Sequence, residues 1–116
     1  MGSTVGSRME TGKVTGTGAE IKVAMPDFTP RKVVLRNVDS GDELVFVDTM
    51  NAGEGFKRVA AGTGALVTTG GVTLVYQDVL SPPVGGTPQD PGRGFLIGTD
   101  ADINAVGEEI QWEAHE

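Results

Sequence analysis

The sequence predicts an all-β protein: a single-domain antiparallel β-sandwich or jelly-roll-like fold of about seven or eight short strands. Three observations lead there. Apolar residues alternate with polar ones over short runs, the period of a half-buried strand, and no segment of about ten residues repeats them at helical spacing. Turn signals break these runs about every ten residues. Glycine at 18 of 116 positions, with six prolines, commits much of the chain to those turns.

Residues 1–12, rich in Gly, Ser and Thr, read as a flexible N-terminal arm with Val5 and Met9 as candidate apolar anchors, and 13–116 as the β domain. Ile21, Val23 and Met25 point one way and Lys22 and Ala24 the other, until Pro26 stops the strand. After Pro30, Val33 and Leu35 share one face while Lys32, Val34 and Arg36 share the opposite one. Asp39-Ser40-Gly41-Asp42 is a turn, and Glu43–Asp48, apolar on both faces in its middle, suits a central strand. Asn51–Gly55 turns into Phe56-Lys57-Arg58-Val59, which the Gly62-Thr63-Gly64 break ends.

Ala65–Thr68 and Val72–Gln77, separated by Thr69-Gly70-Gly71, read as a tight hairpin. Residues 81–94 hold four prolines and four glycines, so they form a long loop, the kind that is usually functional or mobile. Phe95, Leu96 and Ile97 start the next strand. In the last one, Ile110, Trp112 and Ala114 alternate with Gln111, Glu113 and His115. The expected inward set is therefore Ile21, Val23, Val33, Leu35, Leu44, Phe46, Ile110 and Trp112.

Charge is segregated along the chain. Of the formal net charge of -7, residues 94–116 carry six acids and no lysine or arginine, whereas residues 1–93 set ten acids against nine bases. Because these acids lie within a strand programme, they form a wall on a folded domain instead of a solvating tail. A chain this size buries roughly 65% of the surface exposed when unfolded, which gives a thin core and favours a homo-oligomer. An acidic protein lacks the basic footprint of a nucleic-acid binder. No apolar run approaches the ~20 residues of a membrane span, and the opening residues lack the apolar stretch of a secretion signal. Without cysteine there is neither a disulfide nor a thiolate metal site.

No catalytic or cofactor-binding residue is expected, and the protein reads as a non-enzyme. A serine triad needs a histidine between nucleophile and carboxylate, and the lone His115 sits on the wet face of the last strand. Asp100, Asp102 and Asn104 copy the first three ligand positions of a calcium loop, but Ala105 stands where the turn glycine belongs and Gln111 where the bidentate glutamate belongs. The expectation is a solvated turn with no metal, in which Asp102 or Asn104 accepts backbone amides. Gly16-Thr17-Gly18-Ala19 recurs as Gly62-Thr63-Gly64-Ala65 without phosphate-loop context, so both read as turns. Arg31, Lys32, Arg36, Lys57 and Arg58 form a basic group that, in a subunit contact, would meet the acidic wall Glu108, Glu109 and Glu113 of the next copy.

The stretches Val14–Val23, Phe28–Val33, Gly62–Gly64, Gly94–Asn104 and Ile110–Ala114 resemble small structural proteins of tailed bacteriophages, over about residues 13–115. The likeness rests on glycine and hydrophobic spacing. It implies a virion structural protein: a capsid decoration protein, on the phage capsid surface, that binds the assembled shell as an oligomer and stabilises it. Its implied partners are further copies of itself, with a homotrimer suggested by the three-fold positions of shells, and the major capsid protein or other virion proteins. Attachment is expected through the arm and the loop at 81–94. The opening pattern is also similar to H-type lectin sandwiches, although Pro30 follows Phe28 one or two positions early and that family's sugar-contacting residues have no match here. The alternative is therefore a carbohydrate- or receptor-binding module of a phage tail or fibre.

Overall fold

The computed structural model describes residues 8–25, 28–75 and 94–116. They form eight strands: β1 (Met9–Thr15), β2 (Ile21–Ala24), β3 (Lys32–Asn37), β4 (Glu43–Val47), β5 (Glu54–Arg58), β6 (Gly64–Val75), β7 (Gly94–Ile97) and β8 (Glu109–His115). All belong to one antiparallel sheet, ordered β1-β8-β3-β4-β5-β6-β7-β2. The all-β antiparallel expectation holds. The two stacked layers of a sandwich do not appear among the described residues, and a single sheet curls into a half-barrel instead.

One aromatic pair measures the curl. Phe95 on β7 and Trp112 on β8 are five strand steps apart in sheet order, which in a flat sheet is roughly 24 Å. Their ring centroids are 5.5 Å apart, edge to face. The sheet has therefore closed one face upon itself, and side chains from six of its strands meet inside. Val23, Val33, Leu35, Leu44, Phe46, Val72, Phe95, Ile97, Ile110 and Ala114 make the core with Met25, Phe28 and Ile103 from connecting segments. Ile21 and Trp112, expected inside, pack against this core while remaining partly exposed.

Two expectations change. The sheet begins at Met9, so residues 9–12 belong to an edge strand and not to an arm: Met9 lies opposite His115 and Gly12 opposite Trp112. Alternation did not reveal β1 because Gly12 occupies an inward position. The Trp112 ring lies across it, and a Cβ on Gly12 would come within 2.5 Å of that ring. The hairpin expected at 65–77 is also absent, since Gly64–Val75 is one strand. Val67 lies opposite Gly55 and Val72 opposite Glu54, so residues 68–71 form an irregularity that hands β6 from β5 to β7. Gly70 takes a positive φ of 80°, and Gly71 donates to Gly53 O while accepting from Gly98 N. The Gly-Gly pair bends a strand where a hairpin would have reversed it. Val34 keeps its expected place on the outer face, between Glu113 and Val45, and is buried there. The expectations for residues 1–7, Pro26, Tyr76, Gln77 and the loop up to residue 93 lie outside the described residues.

Candidate interaction surface

The connection between β7 and β8, residues 98–108, folds over one end of the half-barrel, and two buried asparagines hold it there. Asn37, 0% exposed at the end of β3, donates to Asp102 O (3.1 Å), Ile103 O (3.2 Å) and Glu108 Oε1 (2.8 Å). Its Oδ1 accepts the amides of Asp39 and Ser40, shaping the β3–β4 turn. Asn104, 1% exposed, accepts the amides of Thr17 (2.9 Å) and Gly18 (3.1 Å) and donates to Ala19 O (2.7 Å) and Gly98 O (2.9 Å). The first Gly-Thr-Gly-Ala tetrapeptide is thus a turn anchored from a distance. An amide side chain suits both places because it offers donors and an acceptor at once.

The same loop holds a cation supplied by the protein. Lys57 projects from β5 so that its Nζ lies 3.1 Å from both carboxylate oxygens of Asp100 and 2.6 Å from Asp102 Oδ2. Burial alone favours a neutral amine, but the hydrogen bonds to Asp102 and Asp100 outweigh it and hold the lysine above its ordinary value. Asp100 Oδ1 also accepts the amides of Asp102 (2.9 Å) and Ile103 (3.2 Å), the short bonds expected of Asp102 or Asn104. Both oxygens of Asp100, Oδ2 of Asp102 and Oδ1 of Asn104 are therefore already committed to Lys57 or to backbone amides. Among the described residues, no group of three or more His, Asp or Glu is placed to hold a metal ion.

The basic group and the acidic wall meet within one chain. Arg36 binds Glu113 Oε2 through Nη1 at 2.7 Å and Glu43 Oε2 through Nε at 3.1 Å. The hydrogen bond from Arg36 keeps Glu113 below its ordinary carboxylate value, with His115 Nε2 3.3 Å from the other carboxylate oxygen. Glu108 accepts from Asn37, and Glu109 accepts from Gln111. Arg36, Lys57 and Glu113 are consequently not free to bridge copies in the way the sequence suggested. Arg58, Lys13 and Lys32 stay exposed with no ion pair among the described residues.

What the sheet leaves open is its convex face. Cross-strand register places Val34, Val45, Phe56 and Leu66 in one row over β3, β4, β5 and β6, all pointing away from the core. Phe56 is 44% exposed and Leu66 57%. Glu113 ends the row on β8, and the charged row Arg36, Glu43, Arg58 runs beside it. A depression of about 490 Å³ across β1, β8 and β3 includes Trp112, but its Arg36 and Glu113 are bonded to each other. Phe28, Phe46 and Phe95 are buried, so the aromatics do not gather into a sugar-stacking cup among the described residues. The surface feature that sequence reasoning missed is this row, because the outward direction of Phe56 and Leu66 depends on the register that the Val59–Thr63 turn sets between β5 and β6.

Comparison with protein-family models, with curated proteins and with solved structures returns no match.

Proposed function

We propose that the protein is a non-catalytic assembly component of a virion, a capsid decoration protein that binds the assembled shell and stabilises it. The observation that carries this reading is the exposed pair Phe56 and Leu66 on the outer face, beside half-buried Val45 and a charged border. The end loops support it: their carboxylates and amides are spent on holding the fold, which leaves binding to surface complementarity. The phage setting comes from the sequence resemblance. A protein of this kind acts by linkage, because ligation of the assembled lattice but not of free shell subunits shifts the equilibrium toward the shell.

The test adds purified protein to undecorated phage shells and measures sedimentation with the shell and shell melting. Saturable capture with a raised melting temperature, and no capture by unassembled shell subunits, is expected. Absence of capture, with equal melting of treated and untreated shells, refutes the reading.

A further inference from the structure

We propose that the convex face is an isologous interface, on which a second copy of this chain packs about a two-fold axis parallel to the strands and midway between β4 and β5. The inference rests on the assembly reading above, but it concerns self-association in solution and can be tested without a shell.

The argument starts from register. Val45 lies opposite Phe56, Glu43 opposite Arg58, Val34 opposite Val45 and Phe56 opposite Leu66. Rotation about an axis between β4 and β5 exchanges those two strands between copies. Val45 of one copy then faces Phe56 of the other, Val34 faces Leu66, and Glu43 faces Arg58, each contact occurring twice as two-fold symmetry requires. The charges decide the direction of the axis. Arg58 is exposed and has no ion pair among the described residues, while Glu43 binds Arg36 through Oε2 alone and has Oε1 left to accept. An axis in the same plane but perpendicular to the strands would set Arg36 against Lys32 of the second copy, two like charges, and would turn Arg58 toward Glu54, whose two carboxylate oxygens already accept from Asn51.

The apolar contents fit as well. Phe56 and Leu66, open to water in the single chain, become the centre and flank of a sheet-on-sheet contact. Sheets packed face to face cross at about 30°, so contact is tightest near the axis, at Val45 and Phe56. A two-fold dimer, not the three-fold oligomer expected from the sequence resemblance, is the assembly that this face specifies.

A paired charge reversal tests it. Glu43→Arg and Arg58→Glu chains should each lose self-association by roughly ten-fold or more, because every homodimer then juxtaposes like charges twice. Mixed together, the two variants should recover it, since arginine faces glutamate at both contacts of the heterodimer. Melting of each variant monitors the fold. Because the chain has no cysteine, Val45→Cys and Phe56→Cys chains can report geometry directly. A short thiol crosslinker, matched to the ~7 Å between Cβ atoms of sheets ~10 Å apart, should join them to each other far better than to themselves.

A wild-type chain that sediments as a monomer at high micromolar concentration, or as a trimer, overturns the proposal, as does failure of the mixture to recover association. If Leu66→Lys abolishes shell capture while the wild type is monomeric, the face belongs to the shell protein; the two-fold dimer is then wrong and the decoration reading stands. If the dimer forms as described but no shell captures it, the dimer stands and the decoration reading is wrong.

Discussion

Replacing Asn104 with alanine should cost about 2–3 kcal/mol, and the figure follows from where its four hydrogen bonds go. A hydrogen bond contributes ~1 kcal/mol net, and a buried group stripped of its partner loses ~1–3 kcal/mol. Two of the four partners, the amides of Thr17 and Gly18, belong to exposed residues, so water replaces the lost acceptor and little is forfeited. Of the two carbonyls left without a donor, Ala19 O belongs to an exposed residue and Gly98 O to a half-buried one, so most of the loss comes from Gly98 O and from the void that the smaller residue leaves at a site 1% exposed. Urea unfolding followed through the single tryptophan, Trp112, whose ring rests on Phe95, reads the loss directly as a lower midpoint at constant slope. Asn104→Asp sharpens the test: near neutrality the carboxylate keeps both amides but sets a buried anionic oxygen against the two carbonyls, so it should cost at least as much as alanine, with part of the loss recovered in acid when the protonated side chain can donate to one of them. A loss below ~0.5 kcal/mol for Asn104→Ala, the range of ordinary surface substitutions, would show that the asparagine does not hold the loop.

The remaining predictions concern charge. Excess chelator should leave the melting temperature unchanged, since Lys57 is the cation of the Asp100–Asp102 loop; a drop on chelation that calcium restores would overturn that assignment. Lys57→Met should lower the melting temperature by leaving two carboxylates facing each other, and Asp102→Asn in that background should recover part of the loss; no recovery would mean that repulsion is not the cause. Glu113 is held below its ordinary value of 4.5, so its contribution is complete above about that pH and is lost as pH falls through the lower folded value. Arg36→Gln should flatten this part of the acid-stability profile, by a small amount because the pair is partly exposed; an unchanged profile refutes the linkage.

Strands β3, β4 and β8 were legible because branched and aromatic residues alternate there with polar ones against a single core. The edge strand β1 was not, since Gly12 and the Thr and Lys residues around it carry almost no apolar signal, and its place in the sheet comes from β8, about a hundred residues later in the chain. Thr69-Gly70-Gly71 was legible as a change of direction, but the sequence does not distinguish a reversal from a bend that needs Gly53 and Gly98 as partners. The acidic triplet showed its ligand-like spacing while concealing its occupant, Lys57, 43 residues earlier. Long-range pairing of this kind is a product of topology, which local periodicity does not encode.

The place of β8 between β1 and β3 also bears on how the protein is made. This strand comes last in the chain yet lies second in the sheet, so during synthesis β1 has no partner and β3 stands as an edge until residues 109–115 have emerged. Pairings this distant carry a large loop-closure cost, which places the fold among slow β topologies. Until β8 inserts, the apolar run Val33-Val34-Leu35 exposes an unpaired backbone edge of the sort that captures other strands. The chain would therefore meet its greatest aggregation hazard on the ribosome, in the interval before the acidic strand β8 closes the sheet.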